Sequence, residues 1–217
     1  MRRRPTFLQL AIIIGAWLPM AFLVRDLLIM HLGANPIQAL EQRTGRTALT
    51  LLVLSLTCTP LHMLTGWQEP LKRSRSLGLY AFMYASLHIS IFIFVDYGLN
   101  LGLILDELTR RNFIILGALA FLILLSMAVT SNNASKVWLR RNWKRLHRLV
   151  YLAAPLIVLH YALSRKGNLF RLQGDVLRPA LYALGILLLL ILRLAPIRIY
   201  FRNHPVHVTL PKRPQTD

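Results

Sequence analysis

The sequence predicts an all-α membrane protein: a bundle of six transmembrane helices, one domain over residues 1–217, with both termini cytoplasmic. Three observations predict it. Hydrophobic residues make up 55% of the 217 and charged residues only 16%. The apolar residues gather into stretches separated by short charged loops, and about 20 helical residues suffice to cross a bilayer core. The 26 lysines and arginines are shared unevenly between alternate loops.

The first span, residues 7–24, follows the basic "MRRR". A secretory signal would close on a small-residue cleavage site, but "LVRDLLIM" follows, so this span is expected to be retained. "HLGANPIQALEQRTG", punctuated by Gly33, Pro36 and Gly45, reads as an ordered outer loop. Spans two and three take residues 48–64 and 77–95. "DYGLNLGLILDELTRR" is then expected to hold a short helix at the outer surface. Span four takes 113–130, span five 146–163 and span six 179–194. The last two are short between charges, so Arg148 and Arg193 must snorkel or face protein. No internal repeat is evident.

This layout puts 17 of the 26 bases on one side, including Lys72, Arg73, Arg75 and a cluster at 136–148. The other side has 9, with six of the eight acids. Basic loops stay in the cytoplasm, which places both termini there. In a soluble chain a net charge of +18 would point to nucleic acid. Here the bases flank apolar segments, so membrane lipid is the expected partner and nucleic acid is not. The single cysteine, Cys58, excludes an intramolecular disulfide, covalent Cys-x-x-Cys-His haem attachment and a cysteine-ligated iron–sulfur cluster. It reads as a small packing residue.

Seven histidines carry the chemistry: His31, His62, His88, His147, His160, His204 and His207. His88 lies deep in span three and His160 deep in span five. Ionisable groups at that depth are rare and usually face the bundle interior for a function. Neutral imidazole is also a common haem and metal ligand. Spans three and five run the same way, and His88 lies 11 residues beyond Leu77 while His160 lies 14 beyond Leu146. At ~1.5 Å per residue their levels differ by about 4 to 5 Å, so two imidazoles can hold one iron between them. His147 stands ~20 Å from His160 along the helix, near the cytoplasmic surface, where it can ligate a second haem or help hold a flavin. A straight helix would set these two on different faces, which a bend at Pro155 can change. His62 is a weaker ligand candidate. His31, His204 and His207 read as solvated. Paired buried carboxylates, a metalloprotease helix and a phosphate-cradling glycine loop are absent, and Ser126 and Ser131 have no base and acid nearby.

These residues carry a resemblance. "GRTAL", "TP", "LGL…SLH", the stretch "LHRLVYLAAPLIVLHY" and the six-span layout resemble the MsrQ (YedZ) family of haem-binding membrane subunits, in the ferric reductase-like transmembrane group. The resemblance covers about residues 7 to 200. It implies a b-type haem protein of the bacterial inner membrane, with one or two haems. It further implies electron delivery to a periplasmic molybdenum-cofactor enzyme that reduces methionine sulfoxide in damaged proteins. Carried over by position, the haem ligands are His88, His147 and His160. The family is also associated with FMN and with quinol or flavin-reductase donors, which makes Arg73 and Arg75 candidates for a flavin phosphate. Only ~20 residues follow span six, too few for a nicotinamide- and flavin-binding domain, so the donor is expected to be a separate molecule.

The expected function is thus that of an electron-transfer subunit rather than the catalytic one. Two alternatives stand beside it. One is a cytochrome b that reduces metal ions or quinone by itself. The other is a transporter or scaffold, which the lack of paired intramembrane acids and broken helix repeats weakens.

Overall fold

The computed structural model describes residues 6–165, 167–168, 173–174, 176–194 and 199. The expectations for His204, His207 and the terminal bases, Arg2 to Arg4 and Arg198 to Arg213, fall outside these. Helix α1 runs Phe7–Leu28, α2 Pro36–Thr65 and α3 Glu69–Ser90, the last continuing as a π-helical segment Ile91–Asp96. Then come α4 Leu101–Arg110, α5 Asn112–Val129, α6 Asn133–Leu139, α7 Arg141–His147 and α8 Val150–Leu163. A two-residue antiparallel pair, β1 Gly167–Asn168 with β2 Gln173–Gly174, precedes α9 Leu177–Ile191.

Among the described residues five helical stretches are long and apolar enough to cross a membrane: Phe7–Leu28, Pro36–Thr65, Glu69–Asp96, Asn112–Val129 and Arg141–Leu163. They cover the first five predicted spans. The predicted sixth corresponds to α9, an apolar helix of 15 residues. At ~1.5 Å per residue it is about 22 Å long, short of a ~30 Å hydrocarbon core. Helix α4 is the short surface helix expected of "DYGLNLGLILDELTRR". Asn100 caps it, accepting from the Leu103 N–H at 3.2 Å, after a turn in which Gly98 and Leu99 both have positive φ.

Two expectations are corrected. Two thirds of the supposed outer loop "HLGANPIQALEQRTG" is helix, because α2 begins at Pro36. Asn35 caps that helix by accepting from the Gln38 N–H at 3.0 Å. Proline at the first helical position starts a helix rather than breaking one, and Gly45 lies inside α2 for a packing reason given below. Span five is likewise two helices, since the chain turns at Arg148 and Leu149 between α7 and α8.

The most extensive packing is α2 on α3 and α5 on α8. Small residues permit close approach of the axes: Ala81, Ala153 and Ala154 are completely buried. Helix α1 is tied to α3 by the buried Tyr84 hydroxyl, which donates to the Ala16 carbonyl at 2.7 Å. Helix α9 is tied to α2 by Tyr182 and Thr50, whose hydroxyls lie 2.6 Å apart. Arg193 faces protein, as expected, donating to the Leu56 carbonyl at 2.5 Å and the Tyr151 hydroxyl at 2.9 Å. Cys58 is buried, its thiol on the Leu54 carbonyl. The outer faces of α1 and α9 leave large apolar side chains such as Phe22, Leu184 and Leu187 exposed, as a chain solvated by lipid does.

Candidate functional site: two imidazoles in an apolar cavity

A cavity of about 420 Å³ lies between α2, α3, α5 and α8. Its walls are mostly apolar, with Leu49, Leu52, Phe92, Phe121 and Leu124 among them, and Ile104 and Leu108 of α4 close its outer end. His88 enters from α3 and His160 from α8. Their ring centroids are 6.1 Å apart and their planes cross at 79°. The two residues matched in depth by counting along the helices therefore meet.

Each ring is oriented from behind. His88 Nδ1 lies 3.0 Å from the Glu41 carbonyl and His160 Nδ1 lies 2.7 Å from the Phe113 carbonyl. A carbonyl only accepts, so each Nδ1 carries the proton and each Nε2 keeps its lone pair. One helical turn beyond each carbonyl is a glycine that makes room for the ring. A Cβ on Gly45 would come 3.3 Å from His88 Nδ1, and one on Gly117 would come 2.7 Å from His160 Nδ1. This is why Gly45, read as loop punctuation, sits in mid-helix. It is a contact glycine.

The two halves repeat. Gly45, Glu41 and His88 are followed 72 positions later by Gly117, Phe113 and His160. The offset extends along the walls: Ala48, Leu49, Leu52 and Ala85 line the cavity, and so do Ala120, Phe121, Leu124 and Ile157. The expectation of no internal repeat is thereby corrected. Four of these seven pairs are identical, Gly45 with Gly117, Ala48 with Ala120, Leu52 with Leu124 and His88 with His160, but they are scattered among dissimilar residues, so the repeat is faint in the sequence. A recurring Gly-to-His interval was one available signal.

His147 lies elsewhere. It ends α7, stacks on Trp143 with ring centroids 4.0 Å apart, and sets Nε2 3.3 Å from the Thr130 hydroxyl. It does not line the cavity. The position one repeat earlier than His147 is Arg75. Arg75 donates from Nε to the Ser131 hydroxyl at 2.9 Å and from its Nη2 to the Ser131 carbonyl. Both side chains therefore secure the end of α5. Arg73 pairs with Glu69 at 3.8 Å and reaches the Thr6 hydroxyl at 3.4 Å. His62 sets Nδ1 against the Trp67 carbonyl at 3.2 Å, away from the cavity, and His31 is exposed.

Charged residues also line the cavity. Asp96, Glu41 and Arg111 line it, and Arg111 is paired with Glu107. Partial burial, with the Glu107 and Asp96 carboxylates nearby, holds the Tyr97 phenol above its ordinary range, so it remains a neutral hydroxyl there. Among the described residues no group of three or more His, Cys, Asp or Glu side chains could hold a metal ion. What the site offers is a pair of neighbouring imidazoles in a mostly apolar cavity, each tied through Nδ1 to a backbone carbonyl.

A bundle with paired imidazoles at an apolar cavity is an architecture able to hold a metal-centred cofactor, and comparison with known proteins identifies the group. The profile of the ferric reductase like transmembrane component matches residues 44–158, from within α2 to within α8, which includes His88 and ends two residues before His160. A protein of Xanthomonas campestris pv. campestris is 41% identical over 160 residues, 74% of this chain and 70% of that one. One of Rhodospirillum rubrum is 39% identical over 190 residues, covering 87% and 88%. One of Herminiimonas arsenicoxydans is 35% identical over 189 residues, covering 87% and 84%. Each of the three is named as the haem-binding subunit MsrQ of protein-methionine-sulfoxide reductase. This chain belongs to the MsrQ branch of the ferric reductase-like transmembrane family, and it is a multi-pass membrane protein.

Proposed function

We propose that the chain is the membrane subunit that carries electrons across the bacterial inner membrane to a periplasmic molybdenum-cofactor methionine sulfoxide reductase, serving the repair of oxidised proteins. The donor is a reduced cytoplasmic flavin, with FMN and a flavin reductase as its source, or a membrane quinol. In this reading α9 is the sixth crossing and both termini are cytoplasmic. The chain conducts electrons and leaves the reduction of methionine sulfoxide to its partner.

The observation that carries the proposal is the spacing of His88 and His160. Two metal–imidazole bonds of about 2 Å and two ring radii of about 1.2 Å span about 6.4 Å, against the 6.1 Å between ring centroids. The residues therefore fit a b-type haem whose iron takes one imidazole on each face. When bound, haem would supply reversible one-electron chemistry, with His88 and His160 as the residues that would hold its iron.

The chain's own residues do the rest. The Glu41 and Phe113 carbonyls hold the Nδ1 protons and so raise the basicity of both Nε2 atoms. Leu49, Leu52, Phe92 and Phe121 exclude water, which tunes the potential. At the cytoplasmic end His147 is proposed as a second haem ligand or a flavin contact, with Arg73 and Arg75 as candidates for a flavin phosphate.

The test is the reduced-minus-oxidised absorbance of purified protein with His88→Ala or His160→Ala. Each is expected to remove nearly all of the low-spin haem signal while the protein still inserts and purifies. An undiminished spectrum in either variant would overturn the assignment.

A further inference from the structure

The repeat across the cavity is symmetric in position and asymmetric in polarity. On the wall where α2 meets α8 stand Gln42, Arg46, Tyr161 and Arg165. The positions equivalent by the 72-residue offset, on the wall where α3 meets α5, are Ile114, Ala118, Ile89 and Ile93. Every polar side chain of the first set has an apolar counterpart in the second, although Asp96 and Arg111 also line the cavity beside the α3 and α5 helices. Connections across the two gaps follow the same division. Arg165 Nη1 donates to Gln42 Oε1 at 3.2 Å across the first, whereas Phe82 stacks on Phe121, centroids 5.8 Å apart, across the second.

Two of the polar groups await a partner. The Tyr161 hydroxyl is buried without a hydrogen bond among the described residues. Arg46 makes no side-chain hydrogen bond or ion pair there, and Arg165 lies over the Tyr161 ring, 5.1 Å from its centroid. A buried hydroxyl without an acceptor costs free energy, and a cation such as Arg46 inside a membrane bundle calls for an anion. The outer-end charges do not supply that call, since Arg111 there already has Glu107.

Haem b has the matching asymmetry, with two carboxylates on one edge and only hydrocarbon on the other. Resting on the bis-histidine reading above, we propose that the chain binds its haem in a single rotational orientation. The carboxylate edge lies against Gln42, Arg46, Tyr161 and Arg165, and the apolar edge against Ile89, Ile93, Ile114 and Ala118. The histidine pair is blind to rotation about its own axis. The difference between the walls sets it, with the Tyr161 hydroxyl donating to one carboxylate and the Arg46 and Arg165 guanidiniums balancing the charge of both.

The test uses full-length protein in detergent with Tyr161→Phe and, on the other helix, Gln42→Leu, together with Arg165→Gln. Each is loaded with haem b or with its dimethyl ester, which lacks the carboxylate charge. Haem loss to excess apomyoglobin is then timed. Arg165→Gln is expected to speed loss of haem b about tenfold and Tyr161→Phe about threefold, with little change for the ester. The propionate bending band in the resonance Raman spectrum is expected to shift in Tyr161→Phe. Equal acceleration for both haems, or an unmoved propionate band, overturns the orientation while an intact low-spin spectrum leaves the histidine pair standing. Absence of haem from the unmodified protein would instead remove the reading on which the orientation rests.

Discussion

The cavity and the end of the bundle at α7 use the same side chain in opposite ways. At the cavity, His88 and His160 are tied through Nδ1 to backbone carbonyls, and each Nε2 is left to a ligand. At the end of α7, Nε2 of His147 is engaged by the Thr130 hydroxyl and the ring is covered by Trp143. An imidazole is prepared for a metal by what holds its far nitrogen. Being a histidine in a membrane helix is not enough. The difference also shows what the repeat has kept and lost, because the counterpart of His160 is a second histidine while the counterpart of His147 is Arg75.

The comparison breaks most readily if the two sites respond alike to losing their histidine. Beside the near-total loss expected from His160→Ala, His147→Ala is expected to retain the bis-histidine low-spin signal and to lower haem per protein by no more than half. Stoichiometry of haem and flavin on each purified variant decides this. Loss of the low-spin signal in His147→Ala would erase the contrast.

Smaller effects sharpen it. An alanine Cβ at position 117 would stand 2.7 Å from His160 Nδ1, and one at 45 would stand 3.3 Å from His88 Nδ1. Gly117→Ala must therefore push the His160 ring off the Phe113 carbonyl, whereas Gly45→Ala needs a shift of a few tenths of an ångström. Disturbing a ligand's supporting contact costs roughly 10- to 100-fold in affinity, so Gly117→Ala is expected near that range and Gly45→Ala a few-fold at most. Competition for haem with apomyoglobin measures both, and a larger effect at Gly45 would contradict the ordering. The least effect is expected from Thr130→Val, which removes the His147 contact. It should cost about 1 kcal/mol of stability, read as a lowered thermal midpoint in detergent with the cavity's haem spectrum unchanged.

Much of this was legible before any coordinates. Hydropathy located five spans because transfer of apolar side chains into lipid is a sum over local residues. The depth of His88 and His160 followed from rise per residue alone. What sequence reasoning misplaced was the start of α2, where Pro36 and Gly45 were taken for loop residues. Each has two meanings, turn or first helical residue for proline and turn or close contact for glycine, and the choice depends on the Asn35 cap and on the His88 ring opposite. The π-helical segment after His88 and the break before α8 were likewise outside the reach of periodicity.

By itself, then, the chain's order of residues determined that it enters lipid, about where it crosses, and which imidazoles lie at one level. Tertiary structure alone decided that two of them face each other at 6.1 Å, that backbone carbonyls turn their free nitrogens inward, and that one wall is polar where its repeat is greasy. The physical reason is range. Burial and helical rise are properties of neighbours along the chain, while ring orientation and cavity polarity arise only where segments 47 and 123 residues apart come into contact.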